Sequence, residues 1–173
     1  TAWLVTMCRF PGRRLFEWAL LLPFAVPAYV VAYTYTGLLD VAGPVQGWLR
    51  ATFMLTPRDY WFPQIRSLGG AILMLTLVLY PYVYLLARAA FLNQSVAVLE
   101  VSRTLGRGAW HGFFHVALPL ARPGIFAGLA LALMEVLNDF GTVQFFAVDT
   151  FTTGIYRTWL ALGSPEAAAQ LST

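Results

Sequence analysis

The sequence predicts an all-α, polytopic helical membrane protein, and three observations carry that prediction. Of its 173 residues, 59% are hydrophobic and only 11% are charged, against roughly 25% charged in soluble domains. The mean hydropathy is +0.67, more apolar surface than a soluble core of this size can hide. Apolar runs of about 20 residues recur along the chain, the length that crosses a hydrocarbon layer of roughly 30 Å.

The net charge of +3 comes entirely from arginine, because the chain contains no lysine. A basic balance of that origin points to orientation in a membrane, not to nucleic acid. Cys8 is the single cysteine, which excludes an internal disulfide and a thiolate metal site.

The elements follow in order. Thr1 to Val5 lack a basic n-region and a small-residue cleavage site, so they read as the end of a span. The first complete span runs from Leu15 to Thr36, behind Arg9, Arg13 and Arg14. Within it Pro23 and Pro27 each remove a backbone bond, which predicts a bent or partly unwound helix. Residues 37–68 form an outer segment whose Trp48, Tyr60, Trp61 and Phe62 suit a membrane–water interface.

A second span runs from Gly70 to Phe91, with Pro81 inside it and Arg88 near its cytoplasmic end. A cytoplasmic loop occupies Leu92 to Arg122, and a third span follows from Pro123 to Thr142. Residues 143–163 lie outside again. Ser164, Pro165 and Glu166 then supply N-cap, first-turn proline and first-turn acid chemistry for another helix. On this topology arginines 9, 13, 14, 88, 103, 107 and 122 face inward and 50, 58, 66 and 157 outward, a positive-inside bias.

Two constellations stand out. Glu100, Val101, Ser102, Gly106, Val116, Leu118 and Pro119 fall at the spacing E-A-A-x3-G-x9-I-x-L-P, with valine and serine in the alanine positions and Val116 in that of isoleucine. Gly106 suits a break because glycine takes positive φ without a Cβ clash, and Pro119 is expected to end or redirect the second helix. An ordinary amphipathic helix-turn-helix is the plainer reading. Four anchors at fixed offsets between two apolar spans favour a docking loop.

In the third span Gly124, Gly128, Ala132, Glu135 and Asp139 recur on one helical face, opposite Phe126, Leu133, Leu137 and Phe140. Small residues let helices approach closely, and carboxylates at membrane depth are costly unless they meet a partner or water. Glu135, Asn138 and Asp139 are therefore candidates for a translocation path, balanced against a plainer role as outer-end acids paired with a loop arginine.

Other patterns carry less. His111 and His115 lie four apart but have no third ligand, so no metal site is expected. No G-x4-G-K-[ST] occurs, and any ATP hydrolysis belongs to another chain. Asp139-Phe140-Gly141 spells the kinase metal-binding triplet without any other kinase element, a coincidence. For Tyr29, Tyr33, Tyr35, Tyr80, Tyr82 and Tyr84, packing and interfacial anchoring outrank ligation of ferric iron.

The spaced residues from Glu100 to Pro119 resemble the cytoplasmic EAA loop of binding-protein-dependent ATP-binding cassette (ABC) importer permeases. Residues 23–33, 59–70, 79–90, 133–143 and 151–159 resemble the ferric-iron branch, and the likeness spans almost the whole chain as the amino-terminal half of a two-half permease. The resemblance implies the transmembrane domain of a type I ABC importer permease, truncated at both ends, in a bacterial inner membrane. It also implies ABC ATPase subunits, a periplasmic binding protein and a second permease half or subunit as partners. No cofactor, catalytic residue or nucleic acid is implied.

The cargo so implied is ferric iron, while branches importing thiamine, phosphonate, sulfate or polyamine share the loop. The rival class is an ATP-independent secondary transporter or channel, to which broken helices and membrane carboxylates also apply. A purely structural scaffold leaves the loop spacing unexplained.

Overall fold

The computed structural model describes residues 1–94, 106 and 108–173. Among these every regular element is helical. In chain order they are α1 (Ala2–Met7), α2 (Arg13–Ala19), a 3₁₀ turn (Leu22–Ala25), α3 (Ala28–Leu39), α4 (Pro44–Phe53), α5 (Leu68–Leu92) and α6 (Ala109–Gly112). A π-helical turn (Phe113–Ala117), α7 (Leu118–Asn138), α8 (Gly141–Phe145), α9 (Phe151–Tyr156), a second π-helical turn (Arg157–Ala161) and α10 (Pro165–Leu171) complete the series. The all-helical membrane architecture expected from composition is the one found.

Two helices are long and apolar enough to cross a membrane: α5, with 25 residues and a mean hydropathy of 1.9, and the continuous helix Ala109–Asn138, with 30 residues and 1.7. The pieces Arg13–Ala25 and Ala28–Phe53 make a third span when taken together. The break between them falls at the two prolines. Pro23 sits in the 3₁₀ turn, and Pro27 is the N-cap of α3, where its missing N–H costs no helical bond. By contrast Pro81 stays inside an unbroken α5 with its ring fully buried.

Three expectations need correction. The outer segment 37–68 is not all loop: α4 starts with Gly43 as N-cap and Pro44 at its first position, a pairing that favours helix entry. The third span does not run from Pro123 to Thr142, since its helix begins upstream of Pro123 and ends at Asn138. Pro119 does not end the second helix of the loop. The π-helical turn before it, in which the Leu118 N–H donates to Phe113 O, widens the spiral where a proline ring would crowd the preceding carbonyl.

The chain divides into two compact units. The first comprises residues 1–25 and 79–135. Its core is Ala2, Tyr84, Ala87, Phe91, Ala117 and Ala121, with Trp3, Leu20, Phe113 and Ile125 packed around it. Here α7 lies directly on the carboxyl-terminal half of α5. A Cβ on Gly128 would stand 2.7 Å from Val83 Cα and 3.0 Å from Tyr82 O, and one on Gly124 would stand 2.8 Å from Ala90 Cβ and 3.0 Å from Leu86 O. Both glycines are thus required by close backbone approach.

The second unit comprises residues 26–78 and 136–173, with a core of Ala32, Ala71, Met74 and Phe146. Its 37–68 segment is tied by side chains. Buried Gln46 donates to Leu39 O at 2.8 Å and accepts from Tyr60 Oη at 2.7 Å, while Arg50 donates to Val41 O at 2.7 Å and to Tyr60 Oη at 3.2 Å. Asp59 accepts from the Thr56 hydroxyl at 2.6 Å and the Thr56 N–H at 2.7 Å, and these donors hold its carboxyl below the usual range. The helix read from Ser164 onward is α10, with Pro165 in its first turn, although the Ser164 side chain makes no cap bond.

Replacing Gly128 tests the helix contact. Gly128→Leu places a side chain where backbone already lies, and overpacking of this kind costs about 1–3 kcal/mol. Thermal unfolding in detergent is expected to shift clearly downward for this variant. Leu129→Ala, on an exposed neighbouring position, is expected to leave the transition in place.

Candidate functional site

The candidate docking loop connects α5 to α6. Glu100, Val101 and Ser102, with Arg103 and Arg107, lie outside the described residues. Gly106 adopts φ +74°, in the left-handed region that favours glycine, and no atom of the described residues lies within 4 Å of where its Cβ would be. Backbone conformation is therefore a constraint at this position.

After Gly108 the chain enters α6, and its two faces differ. Phe113 and Ala117 turn inward, with Phe113 4.8 Å from the Trp3 ring and 6.4 Å from the Phe91 ring. Trp110 and Phe114 remain 69% and 55% exposed and stack on each other at 6.2 Å. One face anchors the helix while the other presents an aromatic ridge. Val116, Leu118 and Pro119 are half-buried and belong to the anchored side. The His111 and His115 rings stack at 4.0 Å. Among the described residues no group of three His, Cys, Asp or Glu side chains could hold a metal ion.

The candidate path residues lie at and just beyond the end of α7. Glu135 and Asn138 lie on α7 and are exposed, whereas Asp139 falls beyond the helix end. Asp139 Oδ1 accepts the Thr142 N–H at 2.9 Å, so its carboxylate serves the start of α8, while Oδ2 is buried without a hydrogen-bond partner among the described residues. Glu135 does continue the stripe of Gly124 and Gly128, about three turns beyond Gly124.

Two clefts lie in the second unit. One, of about 430 Å³, is lined by Gln46, Tyr60, Trp61, Phe62 and Arg66, and the other, of about 540 Å³, by Phe140, Gln144, Asp149, Tyr156 and Arg157. Neither includes a candidate residue from the sequence. Arg157 there pairs with Asp149 at 2.9 Å on the surface, a pair of little energetic weight.

Sequence reasoning missed an ion pair between Glu17 on α2 and Arg88 on α5, each side chain 29% exposed. The available signal was Glu17 itself. An acid inside an apolar span calls for a cation, and Arg88 is the arginine carried by the second span. The pair cross-links two helices of the first unit, and the Arg88 Nε is buried with no hydrogen-bond partner among the described residues.

Helices of membrane-spanning length define a multi-pass membrane protein, and the sequence comparisons identify which kind. The chain belongs to the family of binding-protein-dependent transport system inner membrane components, which matches residues 2–164. It is similar to the molybdenum transport system permease protein ModB of Escherichia coli K12, with 31% identity over 98% of this chain and 74% of that protein. It is also similar to the sulfate transport system permease protein CysT of the same strain, with 34% identity over 84% of this chain and 50% of CysT. The Fe(3+)-transport system permease protein FbpB 2 of Haemophilus influenzae is 29% identical over 99% of this chain and 29% of its own length. The chain is accordingly a multi-pass inner membrane permease subunit.

Charge reversal tests the missed pair. Glu17→Gln leaves Arg88 unpaired and is expected to destabilise the protein by about 2 kcal/mol, below the 3–5 kcal/mol of a fully buried broken pair because both groups retain solvent access. Glu17→Arg with Arg88→Glu together should recover most of the loss. Unfolding temperatures of the three variants in detergent check this.

Proposed function

We propose that this chain is the membrane-spanning permease subunit of an ATP-driven importer in a bacterial inner membrane. A separate ABC ATPase docks on the loop that contains Glu100 and Gly106, a periplasmic binding protein delivers the cargo, and a second permease half or subunit completes the pathway. The observation that carries this reading is the unbroken helix Ala109–Asn138, which starts three residues after the positive-φ Gly106. At 1.5 Å per residue it is about 45 Å long. A displacement imposed at its loop end moves a membrane-spanning rod.

For the cargo, the comparisons favour an oxyanion over ferric iron. The molybdenum-transport and sulfate-transport relatives are 31% and 34% identical to this chain where they align, and the ferric-transport relative 29%. Ferric iron is retained as the second reading on the phrases at 23–33, 59–70 and 133–143.

Reconstitution with the ATPase and binding protein tests both levels. Gly106→Leu must force leucine into the left-handed region at a cost of about 1–2 kcal/mol, in open space, so the permease should still fold. Uptake, or co-purification of the ATPase, is expected to fall about tenfold, the effect of losing some 1.4 kcal/mol of productive docking. Full uptake with full assembly would overturn the docking assignment.

Radiolabelled sulfate, molybdate and ferric iron are compared as cargo. Glu135→Gln separates the readings further. With an anionic cargo Glu135 stays out of contact and its neutralisation leaves uptake unchanged or faster, whereas with a ferric cargo uptake slows.

A further inference from the structure

We propose that Gln94 is a positioning residue that clasps the neck of the docking loop. This rests on the reading of that loop as the ATPase contact. Gln94 follows the end of α5, just before the loop, and its Nε2 donates to Ala117 O at 2.8 Å. Ala117 is the last residue of the π-helical turn, on the far side of the loop. The bond therefore joins the residue region after α5 to the helix Ala109–Asn138, across 23 residues of chain.

The acceptor is held firmly. Ala117 is fully buried against the core that includes Phe91 and Ala121, so its carbonyl cannot swing to meet a distant donor. A carbonyl has two lone pairs and accepts this side chain without giving up helical bonding. The donor end is different. Gln94 Oε1 is buried with no partner among the described residues, and a buried, unmet acceptor opposes the closed arrangement. The clasp is thus a bond under opposition, formed between the chain just after α5 and a carbonyl inside the helix Ala109–Asn138.

Two consequences follow. With the clasp closed, the loop's two ends keep a fixed separation, and a push on the loop reaches the π-helical turn. Once the amide is lost, the ends are held by the packing of Phe91 against Phe113 and Ala117 without the polar tie, and more of the displacement is absorbed at the neck.

Distance measurement on the full-length permease in lipid nanodiscs tests this. Cys8→Ser removes the native thiol, and spin labels at Leu92→Cys and Leu120→Cys occupy exposed positions on the two flanks. Electron–electron resonance then gives the distribution of separations, with the chain alone and with its ATPase and a nonhydrolysable ATP analogue. The unsubstituted Gln94 chain is expected to give one narrow population. Gln94→Leu and Gln94→Glu, which cannot donate, should raise the open population about fivefold, the shift expected for one net hydrogen bond. Gln94→Lys, which keeps a donor of similar reach, should stay narrow.

Equal widths in all four chains would overturn the proposal. Broadening in Gln94→Lys as well would overturn the hydrogen-bond assignment by showing that shape alone matters. If the ATPase fails to bind the Gln94 chain, the docking reading fails, while the widths measured without it still decide the clasp.

Discussion

The close approach of α7 to the carboxyl-terminal half of α5 is the constraint on which the first unit depends. Two glycines one turn apart let the backbones meet where any side chain would collide with Val83, Tyr82, Leu86 or Ala90. In a bilayer no hydrophobic force drives helices together, so such contact rests on dispersion and on shape. The same two helices flank the candidate docking loop. Their separation at Gly124 and Gly128 therefore limits how far apart the loop's ends can stand, and the alanines Ala117 and Ala121 extend the small-residue seam toward the loop.

Along that seam the helix changes gauge. A π-helical turn admits one more residue per hydrogen-bonded loop than an α-helix, at some cost in stability, and occurs mainly where another requirement outweighs that cost. Here the requirement is Pro119. Its ring and missing N–H would normally stop the helix, but the wide turn from Phe113 to Ala117 lets the spiral pass into α7. The chain thereby gains a loop helix and a membrane span in one piece, where a broken helix would leave a hinge between them.

Much of this was legible in the sequence, for identifiable reasons. The membrane class followed from hydropathy, α5 from an unbroken apolar run, and the break near Pro23 and Pro27 from the loss of two backbone donors. The glycine stripe of the third span was visible as small residues at helical spacing, and Gly124 and Gly128 face α5 as that spacing implies. What escaped depended on partners far apart in the chain or on backbone states without a residue signature. Arg88 was read as a topology marker because its acid, Glu17, lies in another span. Proline chemistry at Pro119 pointed to a stop, since the π-helical turn that accommodates it has no clear composition of its own. Asp139 was placed on the helical face by counting, but the helix ends one residue before it and its carboxylate binds the Thr142 N–H.

These outcomes separate the acids of the chain by commitment. Glu17 is held by Arg88, Asp149 by Arg157, Asp59 by Thr56 and one oxygen of Asp139 by the start of α8. A carboxylate satisfied by protein donors has less to offer a passing ion, because each donor must be surrendered before a new partner is gained. Glu135 differs: it is exposed, continues the packed face of α7, and makes no ion pair or side-chain hydrogen bond among the described residues. A charge without a protein partner on a membrane helix calls for water or a polar neighbour. The stripe that brings α7 onto α5 thus leads along the helix to Glu135, an exposed carboxylate with no ion pair among the described residues.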